Sequence, residues 1–255
     1  MAGSQFLTED QENQLLGYPR ISPVEQQARR QELTAFGLEG ICQAGEQSLC
    51  DLQILGLGYV GLVVLVIREG KQFALKIRRT NAKRESLLPE AKAIRQANKV
   101  GVAPKIYQAS DNFILMDFIE GKSFLEWLQW AIAKYPTSII LDVINNLLEQ
   151  AYKLDQIGLD RDDMKCITKD VIVTATHQPV LLDFSNASGD RRPQNVTALV
   201  QGLFWGSVIA KYLKPLLPHC NQEQLLSHLR HYKGHPNRTN FDTLKQAITL
   251  SSLNL

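Results

Sequence analysis

No stretch of this chain stays apolar for long. The longest such run, Tyr59 to Ile67, falls well short of the roughly 20 residues that a membrane-crossing helix needs. No membrane segment is therefore expected. Cysteine is scarce: Cys42, Cys50, Cys166 and Cys220 are the whole supply. No two of them form a C-x-x-C pair and no histidine stands at zinc-finger distance, which argues against a structural metal site. Scattered as they are, they read as reduced thiols rather than a disulfide framework. An excess of one charge is also missing. With 28 Lys and Arg against 26 Asp and Glu the net charge is +2, which gives no reason to expect nucleic acid or an anionic membrane as partner. Met1 to Asp10 lacks a basic stretch followed by an apolar core, so no secretory signal is expected and a cytoplasmic location is. Internal repeats and low-complexity stretches are absent too.

The chain does hold enough apolar material for a real core: 44% of its 255 residues are hydrophobic, and the length suits one to two domains. It is organised around Leu55-Gly56-Leu57-Gly58-Tyr59-Val60-Gly61 and the aliphatic run that follows. The glycines fall in the order G-x-G-x-x-G, which has two physical readings. One is a dinucleotide-binding turn, in which a strand enters a helix and the pyrophosphate sits on the helix N-terminus. The other is the glycine-rich loop of a kinase, a hairpin whose backbone lies over the ATP phosphates.

The residues after the glycines decide. Leu62 to Ile67 is rich in Val and Ile and suits a strand. Arg68-Glu69-Gly70-Lys71 reads as a tight turn and Gln72 to Ile77 as a second strand. The dinucleotide reading also needs an acidic residue about 20 positions on, to hold a ribose hydroxyl. Lys76, Arg78 and Arg79 stand there instead. In the kinase reading Val63 completes G-x-G-x-x-G-x-V, and Ala74-Leu75-Lys76 stands for the strand whose lysine pairs with the α- and β-phosphates. Arg78, Arg79, Lys83 and Arg84 form a local basic cluster, read as a solvated face between strand and helix.

In chain order, residues 1–22 are polar and interrupted by Gly17 and Pro19, and read as a flexible arm. Ser22-Pro23-Val24-Glu25 looks like a helix start, with Ser22 as cap and Pro23 in the first turn. That helix runs to Phe36 and stops at Gly37, within an N-terminal extension over residues 23–50. Leu52 to Leu55 is expected to begin the first strand of the glycine hairpin. Helix propensity resumes from Pro89 to Asn98, with Pro89 in the first turn. Lys105–Tyr107 and Phe113–Phe118 read as strands joined by a turn. Ile119 to Ser123 looks like a hinge. Beyond it the chain turns helical: Phe124–Tyr135, then Ile139–Gly158 with Leu141, Ile144, Leu148, Ala151 and Leu154 on one face. Val171–Val173 and Pro179–Leu182 are short β pieces, and the chain from Asn195 on is helical in composition. The expected domains are thus a sheet-rich lobe at 51–118 and a helix-rich lobe at 119–255.

Phosphoryl transfer needs few parts. Gly56, Gly58 and Gly61 would let backbone approach phosphates. Lys76 would neutralise phosphate charge, held by a glutamate of the next helix, Glu90, with Glu85 as rival. Leu181-Leu182-Asp183-Phe184-Ser185 ends a short apolar strand in an aspartate. Unpaired burial of that carboxylate is costly, and the Mg²⁺ that accompanies ATP is its simplest partner. Ser185 stands where the kinase motif has glycine. Gly158-Leu159-Asp160-Arg161-Asp162-Asp163-Met164-Lys165 occupies the place of the kinase catalytic loop, with Arg161 for its histidine and Asp162 for its arginine. Asp163 falls on the catalytic aspartate, which orients the substrate hydroxyl or takes its proton. The kinase asparagine falls on Thr168, or on Asp170 if two residues are inserted, and Asp170 would then be a second metal ligand.

Taken together, the chain resembles atypical prokaryotic serine/threonine protein kinases of the RIO-like group, related to the kinase of the KEOPS complex. The resemblance runs over roughly residues 24 to 210 and rests on the glycine loop, Leu75-Lys76, Glu90 and Leu182-Asp183-Phe184. Arg191-Arg192-Pro193-Gln194-Asn195-Val196-Thr197 also looks like the run after the metal aspartate in short members. The resemblance implies an α+β, bilobal protein-kinase-like fold. Its N-lobe would be a small antiparallel sheet with one main helix and an extra N-terminal helix. Its C-lobe would be helical with a short activation segment, since no A-P-E motif follows. It further implies that hinge backbone at Asp117 and Ile119 holds adenine and that Met116 guards the back of the pocket. The expected cofactors are ATP and Mg²⁺, and the expected substrate is a protein or, given the short segment, a small molecule. A nucleotide-binding module without turnover is the alternative, suggested by the altered catalytic loop.

Overall fold

The computed structural model describes residues 6–218 and 220–249. The chain forms α1 (Glu9–Leu16), α2 (Pro23–Thr34), β1 (Gly40–Cys42), β2 (Gln47–Leu49), β3 (Leu52–Ile54), β4 (Gly56–Leu57), β5 (Gly61–Arg68) and β6 (Lys71–Arg78). Then come α3 (Leu88–Asn98), β7 (Ile106–Ala109), β8 (Phe113–Asp117), β9 (Lys122–Ser123), α4 (Phe124–Lys134) and α5 (Thr137–Gln156). The last elements are α6 (Ile167–Asp170), β10 (Val171–Val173), β11 (Pro179–Leu181), α7 (Asn195–Phe204), α8 (Val208–Leu213), α9 (Gln222–Gly234) and α10 (Arg238–Thr249). The result is a mixed α/β structure with antiparallel sheets and ten helices among the described residues, compatible with a kinase-like fold. The chain divides into two compact units: the residues up to Arg95 with Pro104–Phe118, and Gln96–Ala103 with the residues from Ile119 on.

In the first unit the sheet order is β1-β5-β6-β8-β7, with β4 also paired to β5. Strand side chains alternate between faces, so register decides which residues meet. Leu62 lies opposite Ile77, Val64 opposite Leu75, and Leu75 opposite Leu115. That face is buried with Leu15, Leu16 and Phe36 from the N-terminal region. The opposite face carries Val63, Lys76 and Ile114 in a row, and there Ile114 packs with Leu87 and with Ala91 of α3. One-residue alternation therefore puts Lys76 on the α3 side of the sheet. The β5–β6 turn has φ of 51° at Glu69 and 66° at Gly70, the paired left-handed geometry that suits a two-residue hairpin.

Three expectations for this unit need correction. Residues 1–5 of the expected arm lie outside the described residues, but the rest is not loose. Thr8 and Gln11 form a reciprocal capping box at the start of α1, and Leu15 and Leu16 are buried in the core. Leu52–Ile54 pairs with β2 rather than opening the glycine hairpin, and β4 takes that part. The basic cluster is more than a solvated face. Arg78 donates to Asn112 Oδ1 and to the carbonyls of Arg79 and Arg84, curling the loop around its guanidinium. The cap of α2 is as expected: Ser22 accepts from Glu25 N–H at 3.2 Å, and Gly37 is left-handed at φ 61°.

In the second unit the strand order is β11-β10-β9, antiparallel throughout. α4 starts with a capping box between Ser123 and Glu126. α5 buries Leu141, Ile144, Leu148, Ala151 and Leu154 as its 3.6-residue period requires. The β10–β11 hairpin matters most for the site, because Asp170 immediately precedes it and Asp183 follows it with only Leu182 between. No helix among the described residues is long and apolar enough to cross a membrane.

Candidate functional site

The residues singled out in the sequence fall into two groups, one in each unit. In the first, Lys76 Nζ lies 2.6 Å from Glu90 Oε1, and both residues are buried. The strand face and the first turn of α3 bring them together. Glu85 is exposed and precedes the helix, so the pair is Lys76–Glu90. An apolar pair would fill the same space at no desolvation cost, so stability alone does not account for a buried ion pair here.

The glycine turn stands beside it. Gly58 N–H donates to Gly61 C=O at 2.8 Å, and Tyr59 at the tip is almost fully exposed. Arg79 braces the turn, with its N–H on Val60 C=O and its guanidinium on Gly58 C=O. The three glycines are not equivalent. A Cβ on Gly61 would come within 2.6 Å of Ile77 C=O, whereas on Gly56 or Gly58 it would meet nothing closer than 3.5 Å. The fold thus explains Gly61 and leaves Gly56 and Gly58 unexplained. Missing side chains with open space beside them suit backbone that a ligand approaches. Val63 sits half-buried opposite Lys76 in register.

The second group surrounds Arg161. This buried side chain donates from Nε and Nη2 to Leu182 C=O at 3.0 and 2.7 Å, and from Nη2 to Asp170 Oδ2 at 3.1 Å. Its guanidinium lies over the Phe184 ring. It thereby ties the 158–165 loop to the segment that carries Asp183. Leu182 N–H donates to Asp170 C=O at 2.7 Å, which sets Asp170 and Asp183 at the same end of the hairpin. Burial pushes the Asp170 carboxyl up, Arg161 pulls it down, and the charges of Asp183 and Asp163 push it up again, for a net rise. Asp163 and Asp183 are both exposed, with left-handed φ of 43° and 48°. Left-handed non-glycine backbone costs energy and gathers at functional sites. Asp183 Oδ1 also accepts from Ser185 N–H. Thr168 lies within α6, two residues before Asp170.

Hard carboxylate oxygens near one another are the donors Mg²⁺ takes, through one or two carboxylates plus substrate phosphates. Among the described residues no three His, Cys, Asp or Glu side chains are arranged to hold a metal ion by themselves. Asp183, exposed, fits an ion that arrives with phosphate oxygens, whereas Asp170 already faces the Arg161 guanidinium. The residues expected to face adenine are placed as follows. Met116 is half-buried in β8 and packs against the Ile114 cluster. Asp117 ends β8 and accepts from Tyr107 Oη at 2.8 Å and from Lys105 N–H. Ile119 opens the longer stretch of the second unit.

Sequence reasoning passed over the support of the 158–165 loop. Asn195 opens α7, accepts from Arg161 N–H at 2.9 Å and donates to Leu159 C=O at 2.8 Å. Asp155 caps the same helix, accepting from Asn195 N–H and Nδ2 and from Tyr232 Oη. Burial raises the Asp155 carboxyl above its usual range despite these bonds. At Gly202 a Cβ would come within 2.5 Å of Lys165 C=O, so α7 packs closely on the loop only because that residue is glycine. An asparagine at a helix start was the one available signal.

No protein-family model matches the chain. Over 176 residues it is 27% identical to a protein of Bacillus subtilis (strain 168) named "Putative serine/threonine-protein kinase YrzF", covering 66% of this chain and 72% of that protein. That similarity supports a kinase-like family.

Proposed function

We propose that the protein is an ATP- and Mg²⁺-dependent phosphotransferase, a serine/threonine protein kinase of the RIO-like type. The observation that carries this reading is the buried Lys76–Glu90 pair beside a glycine turn with open space at Gly56 and Gly58. Lys76 offers a fixed positive charge to phosphate oxygens, and Glu90 sets its position. The Gly56–Gly61 backbone admits the phosphates, with Val63 at its edge. Met116, Asp117 and Ile119 are the adenine contacts. Asp163 orients the acceptor hydroxyl and takes its proton. Asp183 is the carboxylate for the metal, which supplies neutralisation of phosphate charge when bound with ATP, and Asp170, the second carboxylate expected there, pairs with Arg161. The acceptor is a protein hydroxyl, with a small molecule as the other substrate class.

One observation favours a nucleotide-binding module without turnover: Arg161 already engages Asp170. Radiolabelled γ-phosphate separates the two readings. Label on the wild type, and on neither Lys76→Ala nor Asp163→Asn, is the result expected of the kinase. Nucleotide binding with no label on any of the three is the result of the module.

A further inference from the structure

Arg161 stands where the kinase motif has histidine, and the difference is electrostatic. A guanidinium stays charged at any working pH, whereas imidazole does not. The Arg161 side chain is 2% exposed, and such a cation is retained only where it is paired and hydrogen-bonded. It is held on every side: Leu182 C=O takes Nε and Nη2, Asp170 Oδ2 takes Nη2, Met164 Sδ takes Nη1 at 3.5 Å, and Phe184 covers the plane. Asn195 fixes its backbone. A permanent positive charge is thus built in among Asp163, Asp170 and Asp183.

A divalent ion drawn to Asp170 would sit beside that guanidinium and be repelled by it. Asp183, by contrast, is exposed. We propose that Arg161 takes the place of a second divalent cation: Asp170 is its ion-pair partner, and Asp183 alone of these carboxylates ligates the metal that accompanies ATP. This rests on the phosphotransferase reading and narrows it to a site that binds one metal ion. Arg161 acts as a positioning residue, joining the 158–165 loop to the Asp183 segment by charge where the kinase motif would use a metal ion and an asparagine.

Native mass spectrometry of the full chain with Mn²⁺ and a non-hydrolysable ATP analogue counts the ions directly, and Mn²⁺ titration by electron paramagnetic resonance gives the affinity. One Mn²⁺ per chain is expected. Asp170→Asn should keep that count and an affinity within about twofold, because the loss falls on the Arg161 pair and shows as a lower melting temperature. Asp183→Asn should weaken Mn²⁺ binding by about tenfold or more. Two Mn²⁺ ions per chain, with the second lost in Asp170→Asn, would overturn the proposal and leave the phosphotransferase reading standing. No Mn²⁺ with or without nucleotide would overturn both.

Discussion

Gly61 leaves the space that the Lys76 side chain needs. A Cβ there would stand 3.3 Å from both Cγ and Cε of Lys76 and closer still to the β6 backbone. The last glycine of the loop and the strand lysine are therefore one packing unit, although fifteen positions separate them in the sequence.

This makes the glycines separable by experiment. Gly61→Ala should destabilise the fold by about 1–3 kcal/mol through overpacking against backbone that cannot yield, and should displace Lys76. Gly58→Ala meets only ordinary van der Waals contact, so its melting temperature should stay close to the wild type. It should still weaken binding of a fluorescent ATP analogue, because the added methyl occupies the space left for phosphate. Scanning fluorimetry and nucleotide titration on both variants check this. Equal nucleotide affinity in Gly58→Ala and wild type would remove the phosphate role from the loop.

Lys76 and Glu90 allow a sharper separation of stability from function. Glu90→Gln takes the Glu90 charge away from a buried ammonium and should cost about 3–5 kcal/mol, as removing one partner of a buried pair generally does. Replacing both partners, Lys76→Met with Glu90→Leu, should recover most of that loss or all of it, because the desolvation cost disappears with the charges. The double variant should nonetheless bind the ATP analogue far more weakly than the wild type. Stability restored together with nucleotide binding would mean that the pair is structural only.

What could be read from the sequence follows a physical line. Local chemistry was legible: Ser22 with Glu25 marks α2, the Val and Ile run marks β5, and Glu69-Gly70 marks the hairpin turn. Lys76 and Glu90 were legible because a strand lysine and a first-turn helix glutamate need only one sheet face to meet. The rest depends on partners far away in the chain. β9 has two residues and exists through its pairing with β10. α1 was hidden because Gly17 and Pro19 looked like breakers inside it, whereas both lie past its end at Leu16. The β2–β3 hairpin turns at Cys50-Asp51, both left-handed, where no glycine signals it. Arg161 sits in an acidic run that reads as solvated. Its burial is visible only once Leu182 and Asp170 are brought to it.

Acid should loosen the end of the second unit through Glu149. This α5 carboxylate accepts from Arg238 and Lys245 of α10. Burial alone would raise it, but the hydrogen bonds and charges of those two cations hold it below its ordinary 4.5. A depressed carboxyl contributes stability above its unfolded value and loses it as pH falls through the folded value. The contribution should therefore be complete above about pH 5 and fade below pH 4.5. Arg238 is half-exposed, so solvent screening limits it to about 0.2–1 kcal/mol per pair, or a few degrees of melting temperature at this chain length. Asp155 and Asp170 shift the other way, so the wild-type profile alone mixes opposite signs. The difference between wild type and Glu149→Gln cancels those terms. That difference should be largest near neutral pH, shrink in high salt, and vanish in acid. A difference that grows as pH falls would show that Glu149 is held protonated instead.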